Sequence, residues 1–280
     1  MPITRLLVPL ALTCLAVMPM PAGSARASEV ETSFSRHAAG SQVTVDHSAW
    51  DKLLATYVRP AEDGLNRVSY KRFKAEGHGA LDAYLTALQK VDPTRLDRPE
   101  QFAFWANLYN AKTIDVVLDA YPVRSIKDIN LGGGLFASIT GGPWKAKIVT
   151  VNGHPLSLDD IEHTIMRGIF KDHRVHFAVN CASVGCPNLG AVALTGAHLD
   201  ELLEQGGRAF VNSGRGVLVD GGKIRASKIF SWFQADFGGS ERGVLEHLQR
   251  YAAPALKLRL SSVTAIADYF YDWQLNDAKD

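Results

Sequence analysis

Val175-His176-Phe177-Ala178-Val179-Asn180-Cys181-Ala182-Ser183-Val184-Gly185-Cys186-Pro187 runs an apolar segment straight into a short loop bounded by two cysteines, with a histidine upstream of the first. Arg174 to Asn180 reads as a central strand. Side chains alternate on a strand, so His176, Ala178 and Asn180 would share one face and Phe177, Val179 and Cys181 the other. Ionisable and thiol groups beside a buried strand end are a poor way to build a core and a common way to build a site. The remaining cysteine, Cys14, lies in a segment expected to be removed, so any sulfur chemistry rests on this pair.

Upstream, Lys145 to Val151 alternates like a strand and turns at Asn152-Gly153, the strongest short hairpin signal. Ser157-Leu158-Asp159-Asp160 has the form of a capping box opening a helix to about Ile169. Gln101 to Tyr121 is a long helical candidate stopped by Pro122. Ser48 to Tyr57 and Leu81 to Val91 carry apolar residues at helical spacing. Downstream, helices are expected at Gly196 to Val211, Ser227 to Asp236 and Glu241 to Tyr251, a hairpin at Gly216 to Arg225, and a strand within Ser262 to Trp273. Hairpins outnumber crossover units, which points to an α+β domain: a single domain with a mainly antiparallel central sheet and surrounding helices.

Met1 to Arg5 carry one positive charge, Leu6 to Met18 are mainly apolar, and Ala25-Arg26-Ala27 has the small-x-small form of a signal-peptidase site. The expected division is a signal peptide over 1–27, a flexible N-terminal arm over 28–42 and one globular domain over 43–276. The apolar run is shorter than the roughly 20 residues a membrane span requires. The expected location is therefore periplasmic or secreted, with no membrane span.

The 280 residues are 46% apolar and 21% charged, ordinary values for a folded domain, and the net charge is +1. Without a basic stripe there is no electrostatic case for nucleic acid. The glycine-rich stretch from Leu131 to Gly142 lacks the Gly-Lys-Ser/Thr ending of a phosphate loop and the spacing of a dinucleotide fingerprint, and reads as a surface loop. No cofactor is expected.

Three motifs occur together: Phe104-Trp105-Ala106-Asn107-Leu108-Tyr109-Asn110-Ala111, Ile161-Glu162-His163, and the segment from His176 to Pro187. In that combination and order the chain resembles the family called domain of unknown function 547. The resemblance extends from about Trp50 to Tyr251, through Ser125-Ile126-Lys127-Asp128 and the stretch from Ser227 to Phe237. It implies no activity, because the family is defined by sequence.

Each candidate residue carries a structural and a functional reading. Cys181 and Cys186 form either a disulfide that staples the loop or a thiol nucleophile site; a redox-active disulfide is less favoured, because the spacing is not the two-residue kind that lowers a thiol pKa next to a helix start. Strand alternation counts against His176 as the local base, leaving His163 as the candidate from elsewhere in the chain. Asn107 and Asn110 lie on neighbouring positions of one helical face, where they either tie the helix to adjacent backbone or supply an orienting or oxyanion group. Asn180 is a candidate for the same roles. His173, His176, Cys181 and Cys186 number enough for a tetrahedral zinc site, but their spacings depart from the usual ranges, and no metal is expected.

Two functions from different classes follow. One is an exported binding or scaffold domain with a disulfide-closed Cys181–Cys186 loop, its partner an unidentified small molecule or protein. The alternative is a thiol-dependent hydrolase or acyltransferase using a Cys-His(-Asn) site.

Overall fold

Asp97 caps the longest helix among the described residues, α5 (Arg98–Ala120), by accepting from the Glu100 amide at 3.0 Å. Pro99 sits in its first turn, where a missing N–H costs nothing. From Gln101 to Ala111 every residue is buried, so α5 is a central helix rather than an amphipathic surface one. The computed structural model describes residues 22–131, 142–220 and 222–278.

Before α5 come α1 (Ala22–Ser35), α2 (Ser48–Tyr57), β1 (Val58–Pro60), β2 (Asn66–Val68), α3 (Tyr70–Glu76) and α4 (His78–Leu88). After it come β3 (Val149–Val151), β4 (His154–Leu156), α6 (Asp160–Phe170), α7 (Val175–Ala178) and α8 (Leu199–Val211). The chain continues through β5 (Val217–Asp220), β6 (Lys223–Ser227), α9 (Lys228–Trp232), α10 (Glu241–Tyr251), α11 (Pro254–Leu260) and β7 (Ile266–Phe270).

The class is α+β, with many helices and small sheets. β1 pairs with β2, β3 with β4 and β5 with β6, all antiparallel, while β7 joins β6 in parallel. In the β3–β4 hairpin Asn152 and Gly153 take φ of 48° and 79°, the left-handed pair that a two-residue turn of this kind requires. Helices α3, α4, α6 and α8 pack on α5 and form the larger core. A second core gathers Phe177, Phe210, Phe230, Phe237 and Leu248 beneath the three-stranded sheet.

Two expectations change. Arg174 to Asn180 is not a strand: Val175–Ala178 is one helical turn, and the chain becomes extended at Val179. Lys171 ends α6 with φ of 52°. The Asp172 carboxylate then accepts from the Arg174 amide at 2.9 Å and its carbonyl from Val175 N–H at 3.1 Å, which starts the next turn. An apolar run buried on all sides has no periodicity to separate helix from strand.

The segment expected as a loose arm is helical as far as Ser35, with Val30 and Phe34 buried. Phe34 meets the edge of Trp105 at 4.9 Å, and Gln101 Nε2 donates to the carbonyls of Phe34 and Arg36. The helix packs against α6, with Val30 and Phe34, four residues apart, on its buried face. Residues 1–21 of the expected signal peptide and 132–141 of the glycine-rich stretch lie outside the described residues.

The C-terminal stretch positions the site. Leu275 N–H donates to Arg124 O at 2.8 Å and Asn276 N–H to Ala182 O at 3.1 Å, laying residues 272–276 beside the cysteine loop.

Candidate functional site: a cleft over the cysteine loop

A cleft of about 280 Å³ is lined by the start of α6, the loop from 179 to 187, α9 with the residue after it and the strand end at 271–273, together with Tyr109 of α5, Trp144 and His176 of α7. The capping box forms as its residues require. Asp160 N–H donates to Ser157 Oγ at 3.1 Å, and Ser157 N–H returns to Asp160 Oδ2 at 2.7 Å. The helix it opens is wound wide, in the π form that recurs at functional sites. Asp159 at its start and Glu162 and His163 in its first turn line the cleft.

Glu162 Oε2 accepts from the buried Tyr109 hydroxyl at 2.8 Å. Burial, with Glu162 beside it, pushes the Tyr109 phenol well above its ordinary value. Burial also raises Asp159, partly offset by His163 and reinforced by Glu162. His163 lies at the rim, 3.9 Å from carboxylate oxygens of both Asp159 and Glu162.

His176, buried at 3% exposure, lies under Phe233 with ring centroids 4.3 Å apart. Its Nε2 is 2.7 Å from Asp236 Oδ2, which also accepts from Arg167 Nε at 2.6 Å. The His176 hydrogen bond and the Arg167 guanidinium hold the Asp236 carboxyl well below the usual carboxylate range, against the opposing effect of burial. His176 and the two cysteines line the same cleft.

Cys181 and Cys186 are joined as a disulfide. Gly185 sits where a Cβ would come within 2.9 Å of both the amide nitrogen and the carbonyl oxygen of Asp272, so only glycine lets the strand end approach. That approach brings the Tyr271 hydroxyl to 3.1 Å from Cys181 Sγ, 3.2 Å from Cys186 Sγ and 2.8 Å from Ser183 Oγ. Burial raises the Tyr271 phenol. The Cys181 amide donates to Cys186 Sγ at 3.1 Å, and Arg215 grips the Cys186 carbonyl from behind.

The opposite wall is aromatic. Trp273 meets Tyr271, Trp144 and Trp232 at centroid distances of 4.7, 5.7 and 5.8 Å. Trp232 is 47% exposed, an unusual state for an indole and one that opens the wall to solvent.

The expected asparagines take the structural role. Asn107 clamps Leu194, donating to its carbonyl at 2.7 Å and accepting from its amide at 3.1 Å. Asn110 donates to Ala178 O and accepts from Asn180 N–H, both at 2.8 Å. Asn180 in turn donates to Pro187 O at 2.7 Å and accepts from Ala182 N–H at 2.9 Å. Asn110 and Asn180 hold the cysteine loop from behind, Asn107 holds the chain beyond it at Leu194, and none of the three lines the cleft, whereas His163, His176, Cys181 and Cys186 do. His173 lies elsewhere, 4.9 Å from the His247 ring in the second core.

Asp236, Arg167, Asp159, Glu162 and Tyr271 were not singled out from sequence as site residues. The Asp236 signal was its place in the stretch from Ser227 to Phe237, which reads as an ordinary helix end. Away from the cleft, His78, Asp82 and Asp115 place possible ligand atoms within 4.8 Å of one another. Lys112 Nζ already holds one Asp115 oxygen at 2.6 Å. No helix among the described residues is long and apolar enough to cross a membrane.

No curated protein and no solved structure matches the chain. The family model described as "Protein of unknown function, DUF547" matches residues 93–211, a narrower span than the motifs suggest. The matched stretch holds α5, α6 and the cysteine loop, while Asp236, Tyr271, Trp232 and Trp273 fall beyond it. Over residues 93–211, the stretch that runs from just before α5 to the end of α8, the chain is similar to the domain of unknown function 547 family.

Proposed function

We propose that this chain is an exported binding domain whose cleft receives a small molecule with a flat apolar face and hydroxyl or amine donors along its edge. The observation that carries this reading is the pairing of an exposed aromatic wall, Trp232 and Trp273, with the Asp159 and Glu162 carboxylates of the same cleft. Indole faces bury the apolar face of a ring, while carboxylates accept from donors around it. The disulfide makes the floor rigid, so little ordering is lost on binding. Export accords with a paired disulfide, which persists in oxidising compartments. The leader-like pattern before Ser28 agrees with it, and Val30 and Phe34, which dock α1, both follow Ala27.

The test is a screen of hydroxylated and amine-bearing ring fragments by saturation-transfer nuclear magnetic resonance. Fragments should bind the wild type and lose their signal in Trp232→Ala and Asp159→Asn. Equal signals in all three proteins, or none in any, would remove the cleft as a ligand site.

A second reading, a thiol-dependent hydrolase or acyltransferase, draws on one observation: the His176–Asp236 pair shares the cleft with Cys181. In that reading Cys181 is the nucleophile, His176 the base and Asp236 the orienting group, in place of an asparagine. It requires the cysteines unpaired. Hydrolysis of an activated thioester by reduced protein, abolished in both Cys181→Ser and His176→Phe, would place it first. No turnover by reduced protein would dismiss it.

A further inference from the structure

A disulfide sulfur is a weak hydrogen-bond acceptor and needs no donors, whereas a thiolate is stabilised by every donor aimed at it. Three donor groups lie against the Cys181–Cys186 pair: the Cys181 amide and the hydroxyls of Tyr271 and Ser183. Cys186 Sγ receives the Cys181 amide at 3.1 Å and lies 3.2 Å from the Tyr271 hydroxyl. Cys181 Sγ lies 3.1 Å from that hydroxyl and 3.3 Å from Ser183 Oγ. Ser183 Oγ, 2.8 Å from the Tyr271 oxygen, can donate to it and leave the phenolic proton free for a sulfur. Arg215 adds positive charge behind Cys186, with its Nε buried and without a hydrogen-bond partner.

The two sulfurs also differ in access. Cys181 is half-buried on the cleft wall, whereas Cys186 is 4% exposed. An incoming thiolate therefore meets Cys181 first, and the sulfur it displaces is the one with the amide donor.

We propose that the Cys181–Cys186 disulfide is redox-active and oxidises dithiols, with Cys181 the sulfur attacked and Cys186 the leaving thiolate held by the Cys181 N–H and the Tyr271 hydroxyl. In the first step a substrate thiolate bonds to Cys181 Sγ, the Cys181–Cys186 bond breaks, and its electron pair leaves on Cys186 Sγ. In the second, the other thiol of the substrate, deprotonated, attacks the substrate sulfur of the mixed disulfide and expels Cys181. The dithiol loses two electrons and two protons and becomes a disulfide, while the protein gains two electrons. One proton ends on Cys181 and the other is released to solvent, with Cys186 left as thiolate. The leaving sulfur's stability sets the rate of such exchange. This activity is independent of the binding reading, because it needs only the loop, Tyr271 and access through the cleft.

The experiment uses the full chain with dithiothreitol as the dithiol. Reduction of the protein should run about tenfold or more faster than that of glutathione disulfide at the same near-neutral pH. In Cys181→Ser, which keeps the backbone donor, the ultraviolet absorbance of the Cys186 thiolate should titrate at least about one unit below the ordinary thiol value of about 8.5. Adding Tyr271→Phe should move that midpoint up, while in Cys186→Ser the remaining Cys181 should titrate higher than Cys186 does. Should Tyr271→Phe fail to fold, Ser183→Ala tests the same network. Reduction no faster than that of glutathione disulfide, or a Cys186 midpoint near the ordinary value, would each overturn the proposal and leave the bridge a structural staple.

Discussion

His176 and Asp236, sixty residues apart, meet with Nε2 2.7 Å from Oδ2, and Arg167 holds the same carboxylate oxygen from the other side. This contact ties α7 to the turn that follows α9 and so fixes one wall of the cleft to another. Replacing Asp236 with asparagine leaves the buried imidazole without its charged partner. The expected loss is about 1–3 kcal/mol of stability in urea denaturation at neutral pH, the cost of a hydrogen bond to a charged group. Because the Asp236 carboxyl is depressed in the folded protein, its contribution is full above the unfolded aspartate value of about 3.9 and is lost as pH falls below it. The variant should lack this part of the acid dependence.

A second acid limb belongs to His247. Burial, reinforced by positive charge on His173, Arg250 and His176, lowers its imidazole to about 3. A histidine kept neutral in the fold contributes stability above its unfolded value of about 6.5, lost progressively as pH falls towards the folded value. Its Nε2 is buried without a hydrogen-bond partner, among Phe237, Phe177 and Tyr251. His247→Phe should therefore hold its stability at neutral pH and flatten the decline between about pH 6.5 and 3, read as thermal midpoint against pH. A decline as steep as in the wild type would place the sensitivity elsewhere, His173 being the neighbour whose pKa is also lowered by burial.

Asn107 is 1% exposed and spends both ends of its amide on the backbone of Leu194. Asn107→Leu keeps the volume but leaves the part-buried N–H and carbonyl of Leu194 without these partners. The expected cost is about 1–3 kcal/mol, with faster proteolysis of the loop around Gly190 to Leu194 as the local signature. Unchanged stability and cleavage would mean the loop is held by other contacts.

Gly185→Ala places a methyl group 2.9 Å from the Asp272 amide nitrogen and equally close to its carbonyl oxygen. Backbone cannot rotate away as a flexible side chain does, so the strand end at 271–273 must shift. The expected cost is roughly 1–3 kcal/mol in thermal or urea denaturation. Near-ultraviolet circular dichroism from Tyr271 and Trp273 should change with it, because the aromatic wall follows that strand end.

The parts legible in the sequence are those whose causes lie within a few residues. The amphipathic spacing of Glu241–Tyr251 and Ser48–Tyr57 marks both helices at the bounds they take. Asn152-Gly153 specifies its hairpin and Ser157 its helix start, because each rests on a backbone geometry or hydrogen bond reaching no further than three residues. The cysteine loop stood out for its composition. The run from Val175 to Asn180 was illegible for the opposite reason: buried at every position, it lacks the polar face that reveals a period, and the Asp172 turn decided it.

By itself, the sequence determined the α+β class, most element positions and the cysteine pair that centres the site. Only the tertiary structure decided the rest. It gave His176 the Asp236 carboxylate rather than a cysteine, turned Asn107, Asn110 and Asn180 to the backbone behind the loop, and laid the Tyr271 hydroxyl against both sulfurs. Apart from the Asn180 bond to Pro187, seven positions away, those contacts join residues separated by sixty to ninety positions. Such pairs carry no mark in either partner's local sequence, because what selects them is the packing of helices and strands that brings the two residues together.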